Sequence, residues 1–261
     1  MKHKFLLLLA ICSLSAANAK ELFVMQSAKE MTPTRNIKVN EKGFVIGKTS
    51  VIYSSRLFAF DPAKKYKLSC DAFLKNGKSG KLYLGFMNYD SNNRLISSVE
   101  VNGLPGTFTV LTEAAPAGSQ ILKLKDASKW NRKSRHASVA LNASADNSDL
   151  PNRNIAAVDP DSIVQKEGFW EIKLKAPLKT AVAAGSGVRQ HFSSYSYQFL
   201  AKPVLGGEVK NYSGESHGVA ASGIYPAKAW KGTAKFRIVM LLESSESGAE
   251  VEFSQLKLEE L

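Results

Sequence analysis

The most constraining feature of the sequence is a period-two alternation of apolar and polar residues that recurs along the chain. In residues 65–73 apolar side chains fall on every second position, and the pattern returns in residues 170–175 and 236–240. Because successive side chains of a β-strand point to opposite faces of a sheet, this period predicts strands that bury one face. No window of about 11 to 18 residues shows a convincing helical period. With 261 residues available for a core, the sequence predicts an all-β fold: an antiparallel β-sandwich of the jelly-roll kind.

Two local features refine this prediction. Residues 76–80 carry turn-forming Asn, Gly and Ser between the alternating runs 65–73 and 82–86, which predicts a hairpin with one face exposed to water. Near the C-terminus the apolar residues change phase across residues 254–255. One extra residue in a strand would explain that change, so we expect a β-bulge there.

The middle of the chain interrupts this rhythm. Residues 142–168 are polar and contain two prolines, and the stretch is long for a connection within a compact domain. Such a stretch is typical of a functional or disordered loop. The sequence therefore predicts a lead-in over 20–49 and one sandwich domain over 50–261, with a long polar insertion around 112–190.

The first 19 residues have the composition of an export signal. Two lysines precede a short apolar run over 5–11, and Ala17 and Ala19 occupy the small-residue positions of a cleavage site. This run is shorter than the roughly 20 residues that span a bilayer, and no later run is apolar enough, so no transmembrane segment is expected. The alternatives are a first helix of the fold and a lipoprotein signal at Cys12, which the bulky Ile11 disfavours. We expect cleavage near Ala19 and a soluble protein outside the cytoplasm, either periplasmic or extracellular.

The chain is basic, with a formal net charge of +12 from 35 Lys and Arg against 23 Asp and Glu. A dense run of cations contains Lys123, Lys125, Lys129, Arg132, Lys133 and Arg135. Such a run favours an acidic partner, either a uronic-acid or sulfated polysaccharide or an anionic envelope surface. A solvated face that keeps the protein soluble explains it equally well. Nucleic acid is not expected, because the export signal and the lack of a nucleic-acid-binding motif oppose it.

Aromatic residues next to polar ones give the candidate ligand site. The predicted site residues are Tyr195, Tyr197, Arg189, His191 and Trp130. The two tyrosines alternate in a strand-like run over 193–199, so both rings are expected on one face. An open face of this kind would stack the C–H surface of a sugar and bind its hydroxyls. The alternative is that these aromatic side chains belong to the core, with their polar atoms hydrogen-bonded.

Several segments that flank the insertion form a recognisable set: residues 66–69 before a Gly-containing turn, 84–86 with 89–90, 230–237, 251–253 and 256–260. Together they resemble the carbohydrate-binding-module-like β-sandwiches with a galactose-binding-like jelly roll. Residues 126–130, and 185–189 with 195–197, look like the limits of an insertion found in secreted and tail-fibre sandwiches. The resemblance implies a glycan-binding, non-catalytic module. Family members usually carry a Phe-Asp-Asp type of ending, sometimes linked to a structural cation, whereas Ser254 and Gln255 stand there in this chain.

Oxygen ligands of the kind that calcium prefers occur in the insertion, with Asp146, Asp149 and Asp159 as the candidates. Residues 90–92 also begin like a calcium loop, but Leu95 stands where that loop needs a glycine. The histidines do not have the spacing of zinc ligands. Beyond a structural calcium, no cofactor is expected.

An enzyme is the rival class of function. Arg189, His191 and Tyr195 could serve a jelly-roll polysaccharide lyase, in which the arginine neutralises a uronate and the other two move protons. The sequence has no nucleophile elbow and no phosphate-binding glycine loop, and no pair of carboxylates stands out. We therefore expect an exported, non-catalytic carbohydrate-binding protein for an acidic polysaccharide. A structural or interaction protein of the cell envelope is the second hypothesis, and a lyase is the third.

Overall fold

A computed structural model describes residues 19–47, 51–132 and 137–261. Within these residues the chain forms three six-stranded antiparallel sheets and one short α-helix, so the predicted all-β sandwich is confirmed. The proposed export signal up to residue 18, and Lys133 and Arg135 of the basic run, lie outside the described residues. No helix in the described part of the chain has the length and hydrophobicity that a membrane crossing requires.

The strands, in chain order, are β1 (Lys20–Val24), β2 (Met31–Thr32), β3 (Ile37–Asn40), β4 (Gly43–Gly47), β5 (Val51–Ser54), β6 (Phe58–Ala59), β7 (Lys65–Asn76), β8 (Lys81–Tyr89), β9 (Thr109–Val110), β10 (Ile121–Leu124), β11 (Ala137–Leu141), β12 (Ile155–Gln165), β13 (Trp170–Leu174), β14 (Gly187–Phe192), β15 (Gln198–Ala201), β16 (Lys210–His217), β17 (Lys235–Glu243) and β18 (Glu250–Glu260). Helix α1 covers Ser98–Val101, and two single-turn 3-10 helices cover Ala28–Glu30 and Thr34–Asn36.

Two of the sheets pack face to face as a sandwich. The first sheet has the strand order β16-β7-β18-β4-β3, with β1 beside β18, and the second sheet has the order β15-β8-β17-β5-β2, with β6 beside β17. Phe236 of β17 lies in the shared core, where its ring centroid is 4.2 Å from that of Phe86 and 5.3 Å from that of Tyr66 in the first sheet. Aromatic packing in the interior therefore holds the two layers together.

The predicted hairpin over 65–86 is wrong, although its two strands exist. β7 pairs with β16 and β18 in the first sheet, whereas β8 pairs with β15 and β17 in the second. The turn between them therefore carries the chain from one sheet to the other. Alternation tells which face of a strand is buried, but it does not tell which strand supplies the backbone partner.

The predicted bulge near residues 254–255 is confirmed. The pairing of β18 with β7 shifts register between Ser254 and Lys257, and Gln255 has a positive φ of 51°. The extra residue returns the second half of the strand to the correct face, so that Phe253 and Leu256 are both buried.

The third sheet closes on itself to form a small barrel. Its strand order is β10-β13-β12-β11-β14-β9, and the two end strands meet through an antiparallel bridge between Leu111 and Leu124. The amide of Thr112 donates to the carbonyl of Lys123 at 2.9 Å beside that bridge. The barrel has its own hydrophobic core, which includes Leu111, Leu122, Leu124, Val139, Val158, Ile172, Leu174 and Val188. Its strands begin at residue 109 and end at residue 192.

The expected polar loop over 142–168 is therefore wrong for much of its length. β12 occupies Ile155–Gln165 and pairs with both β11 and β13. Its pairing with β13 shifts register between Asp159 and Val164, around Pro160. Proline cannot donate to a strand ladder, so an interrupted register is where a strand tolerates it. Pro160, Asp159 and Asp161, which contributed to the prediction of a loop, thus lie at an irregularity within a strand, whereas Pro151, Asp146 and Asp149 lie in the connection before it.

Arg153 connects the barrel to the sandwich by charged contacts. Its guanidinium lies 2.9 Å from the carboxylate of Asp90, at the end of β8, and 2.9 Å from that of Glu100 in α1. It also donates to the carbonyl of Leu95. Asp90 additionally accepts the amide hydrogens of Asn92 and Arg94. The segment that begins like a calcium loop is therefore a turn fixed by these contacts.

The close approach of β15 to the first sheet gives a stability prediction. A Cβ atom on Gly214 of β16 would lie 2.5 Å from Cβ of Leu200 and 2.6 Å from its carbonyl oxygen. We expect Gly214→Ala to lower the free energy of unfolding by about 2 kcal/mol, since overpacking has that order of cost. Gly207, whose added Cβ would meet nothing within 4 Å, provides the matched control Gly207→Ala. Chemical denaturation measures both, and equal midpoints for the two variants would contradict this contact.

Candidate functional site

The five predicted site residues do not share one face. Tyr195 and Tyr197 lie between β14 and β15 in a segment that is not a strand, so the predicted strand over 193–199 is wrong up to residue 197. Both tyrosines nevertheless line one cavity. Arg189 and His191 are buried in β14, and Trp130 is buried in the barrel core. Side chains at every second position share one face only while the chain stays extended. Here the strand ends at Phe192, so the later residues need not share the face of Arg189 and His191.

Arg189 and His191 belong to a closed hydrogen-bond network. Nε of Arg189 donates to Nε2 of His191 at 3.0 Å, and its Nη2 lies 2.9 Å from a carboxylate oxygen of Asp149. Its Nη1 donates to two oxygens of the loop 144–147. The remaining nitrogen of His191, Nδ1, lies 2.6 Å from the carbonyl oxygen of Val99, so it carries the proton and donates it there. Both ring nitrogens of the histidine are thus occupied.

The surroundings of His191 keep it neutral. Burial lowers the pKa of this histidine to about 4, and the positive charge of Arg189 acts in the same direction. Its side chain has no exposed surface. A proton-transfer role toward a polysaccharide would need a reachable ring nitrogen, and in this arrangement His191 offers none.

Trp130 has a structural position. Its side chain is 4% exposed, and its indole nitrogen donates to the carbonyl oxygen of Thr107 at 2.8 Å. The prediction that its ring serves as a sugar platform is therefore wrong, because the indole faces are packed within the barrel. A buried indole with its N–H hydrogen-bonded is the usual arrangement for a core tryptophan.

The described part of the basic run lies on the barrel. Lys123 forms a salt bridge of 3.1 Å with Glu113, and Arg132 stacks 4.6 Å above the ring of Trp170. Lys125 is exposed. None of these residues lines the cavity that contains the two tyrosines. The run therefore does not add its charge directly to the aromatic site.

The three calcium candidates do not converge. The carboxylate of Asp149 is engaged by Arg189 and by Asn152, Asp146 accepts the amide hydrogen of Ser148, and Asp159 lies in β12. Across the part of the chain that the structure describes, no group of three His, Cys, Asp or Glu side chains is placed to hold a metal ion. The prediction of a calcium site at these residues finds no geometry to support it.

Tyr195 and Tyr197 line a cavity of about 110 Å³ beside β15, which we call the tyrosine pocket. Its other lining residues are Gln198, Phe199, Lys202, Ile224, Tyr225, Pro226 and Trp230. Tyr195 is 52% exposed and Tyr225 is 54% exposed, so both rings can be reached from solvent. The pocket thus presents two accessible aromatic rings over an apolar floor.

A close backbone contact places β15 beside this pocket. A Cβ atom on Gly85 of β8 would lie 2.0 Å from the carbonyl oxygen of Gln198, so only glycine allows the strand to lie where it does. Phe199 then packs on Tyr83, with ring centroids 4.7 Å apart. The contact leaves Tyr195 and Tyr197 on the short connection just before β15.

Two buried polar atoms of the pocket residues have no partner in the described structure. Gln198 donates through Nε2 to Ser216 and to the carbonyl of Pro226, but its Oε1 accepts nothing. The indole nitrogen of Trp230, a residue that is 1% exposed, is likewise without an acceptor. An unpaired buried polar group costs about 1–3 kcal/mol, so one free donor and one free acceptor in pocket residues are exceptional.

Sequence reasoning missed most of this pocket. Tyr225 and Trp230 come from a loop about thirty residues after the tyrosines, and Lys202 follows β15. Nothing local in the sequence links these residues, because they meet only when the loop folds beside β15. No family model, curated protein or solved structure matches this chain.

The buried histidine predicts a loss of stability in acid. The folded-state pKa of His191 lies below the ordinary value of 6.5, so its contribution is fully present above about pH 6.5 and is lost as the pH falls towards 4. The expected loss is on the order of 3 kcal/mol in the free energy of unfolding. His191→Gln should flatten this dependence, whereas His217→Gln, at an exposed site, should leave it unchanged. Urea denaturation at a series of pH values measures it, and identical slopes for His191→Gln and the unmodified protein would refute the assignment.

Proposed function

We propose that this chain is an exported, non-catalytic carbohydrate-binding protein and that the tyrosine pocket holds a sugar unit of its ligand. The observation that carries the proposal is the pair of half-exposed rings, Tyr195 and Tyr225, in a cavity whose lining includes Gln198 and Trp230, each of which has an unpaired buried polar atom. A pyranose has an apolar C–H face and a rim of hydroxyls, so it needs flat rings beside hydrogen-bonding groups. Small-molecule sites commonly combine an apolar lining with a few placed polar groups.

Binding without catalysis agrees with the chemistry of the pocket. None of the described residues that line it is acidic, whereas hydrolysis of a glycosidic bond needs two positioned carboxylates. The histidine that a lyase mechanism would use is engaged on both nitrogens and buried. The resemblance of the flanking segments to carbohydrate-binding-module-like sandwiches supports the same proposal.

An acidic polysaccharide is the proposed ligand because the chain is strongly basic. The formal net charge is +12 for the full sequence and, once Lys2 and Lys4 are removed with the signal, 12 − 2 = +10 for the exported chain. A charge of this size raises the local concentration of polyanions near the surface and speeds their association. Binding of this kind weakens as salt screens the charges.

Removal of the exposed rings tests the pocket. We expect Tyr195→Ala and Tyr225→Ala each to weaken glycan binding by about 2 kcal/mol, or roughly thirtyfold, as truncation of an aromatic anchor does. Phe108→Ala removes an aromatic ring that is 39% exposed on the barrel side of the molecule and serves as the matched control. Isothermal titration calorimetry against a panel of neutral and acidic polysaccharides measures the effect. The absence of binding to every member of the panel at low salt would reject the proposed function.

Export is tested at the N-terminus of the protein recovered from cells. We expect the mature chain to begin at Lys20, because Ala17 and Ala19 fit the small subsites of the processing enzyme. Ala19→Arg should block cleavage and leave the precursor, whereas Ala28→Arg, downstream of the site, should not. Mass spectrometry of the periplasmic and extracellular fractions reports the result, and an intact Met1 start in those fractions would contradict the proposal.

A further inference from the structure

The two outer faces of the sandwich differ in chemistry. On the first sheet, outward lysines are paired with acids: Lys65 lies 2.6 Å from Glu215, and Lys257 lies 2.7 Å from Glu259. The second sheet instead carries an apolar and aromatic cluster on its outer face, which we call the aromatic face: Val51, Tyr53, Tyr83, Tyr89, Phe199 and Leu241, with Arg237 among them. Tyr89 and Phe199 are buried, whereas Tyr53 and Tyr83 keep part of their rings exposed. The salt bridges balance the charges of the first sheet, whereas the partly exposed rings of the second sheet leave aromatic surface available for a ligand.

The aromatic face is continuous with the tyrosine pocket. Tyr197 lines the pocket, and its ring centroid lies 5.7 Å from that of Phe199 on β15. Tyr197 and Tyr53, which lies on β5, also pack against the same hydrophobic cluster as Phe199. The rings therefore form one surface that leads from the pocket across the second sheet.

Two cations on this surface are held by rings and not by carboxylates. The ammonium of Lys202 lies 3.9 Å from the ring centroid of Tyr195, and the guanidinium of Arg237 lies 5.5 Å from the rings of both Tyr53 and Tyr89. Among the described residues no carboxylate oxygen comes within 4.0 Å of either cation. Nε of Arg237 also lacks a hydrogen-bond partner there.

The charge of a cation that lies beside aromatic rings without an acidic partner is not neutralised by a carboxylate of the protein. Such a cation is therefore available to pair with the anionic group of a ligand. A carboxylate or sulfate could accept hydrogen bonds from Lys202 or from the outer nitrogens of Arg237 while the attached sugar stacks on the neighbouring tyrosine. Glu243, at the end of β17, accepts a hydrogen bond from the Tyr83 hydroxyl. It does not pair with either cation.

We infer that one acidic glycan chain occupies the tyrosine pocket and continues over the aromatic face, where Lys202 and Arg237 bind carboxylate or sulfate groups on separate sugar units. This inference rests on the proposed function and adds to it the residues that recognise charge. It also moves that recognition away from the basic run on the barrel, where Lys123 is already paired with Glu113.

The test compares charged and neutral forms of the same glycans. Calorimetry is run with oligogalacturonate and its methyl ester, and with dextran sulfate and dextran, so that the two pairs separate carboxylate from sulfate. We expect at least one charged member to bind roughly tenfold or more tightly than its neutral counterpart, with an affinity that falls as salt rises. Lys202→Met and Arg237→Gln should each reduce that preference by about threefold or more, because each removes one of the two cations that bind the anionic groups.

Two control variants separate the effect of the positive charge on this preference from the effect of side-chain packing. Lys202→Arg should retain the preference, and Lys125→Met, which removes an exposed cation of the basic run, should leave it unchanged. Thermal unfolding shows whether Arg237→Gln remains folded, and the exposed Lys202 keeps the inference testable if it does not.

The outcomes separate this inference from the proposed function. Binding of neutral glycans with no preference for the charged forms would overturn the inference and leave the function standing. A charge preference that survives Lys202→Met, or that Lys125→Met reduces equally, would also overturn it. Failure of the unmodified protein to bind either charged or neutral glycans would overturn both.

Discussion

The ring of Phe236 lies between the two sheets of the sandwich and packs against Tyr66 of the first sheet and Phe86 of the second. Burial of each such side chain contributes about 1.5–3 kcal/mol, and the contribution requires the ring to stay on the inner face of its strand. Since side chains alternate, fixing Phe236 inward also fixes Arg237 outward. The inner packing thus decides which residues are free to meet a ligand.

The two outer faces of the sandwich differ in how their cations are balanced, and the difference has a physical reason. A salt bridge on an exposed face contributes little stability, but it satisfies both charges and leaves the surface well solvated. The first sheet has this form, with Lys65 and Glu215 as one pair. On the second sheet the rings of Tyr53 and Tyr89 flank Arg237, each with its centroid 5.5 Å from the guanidinium. The two outer faces therefore differ in how their cations are balanced, and for this reason the glycan surface that we propose lies on the second sheet.

The barrel shows how residues with a catalytic appearance can serve structure. Arg189 and His191 were candidates for a lyase in sequence, but the fold buries both and joins them to each other, to Asp149 and to the backbone carbonyl of Val99. A buried polar group must be hydrogen-bonded, so such a network stabilises the position of a loop against α1. Reactive side chains that lie close in sequence therefore say little about a site until their exposure is known.

The sequence by itself determined several of the strands and the faces that they bury. Alternation in residues 65–73 and 236–240 predicted the strands, and the change of phase near Gln255 predicted the bulge, because side-chain direction along a strand is a local property. It also placed Tyr195 and Tyr197 together, although for the wrong reason. Tertiary structure alone decided that residues 76–80 cross between sheets, that the insertion closes into a barrel, and that Tyr225 and Lys202 join the pocket. These outcomes depend on pairing between strands and loops far apart in the chain, and a local pattern of side chains carries no information about which distant segment supplies the partner.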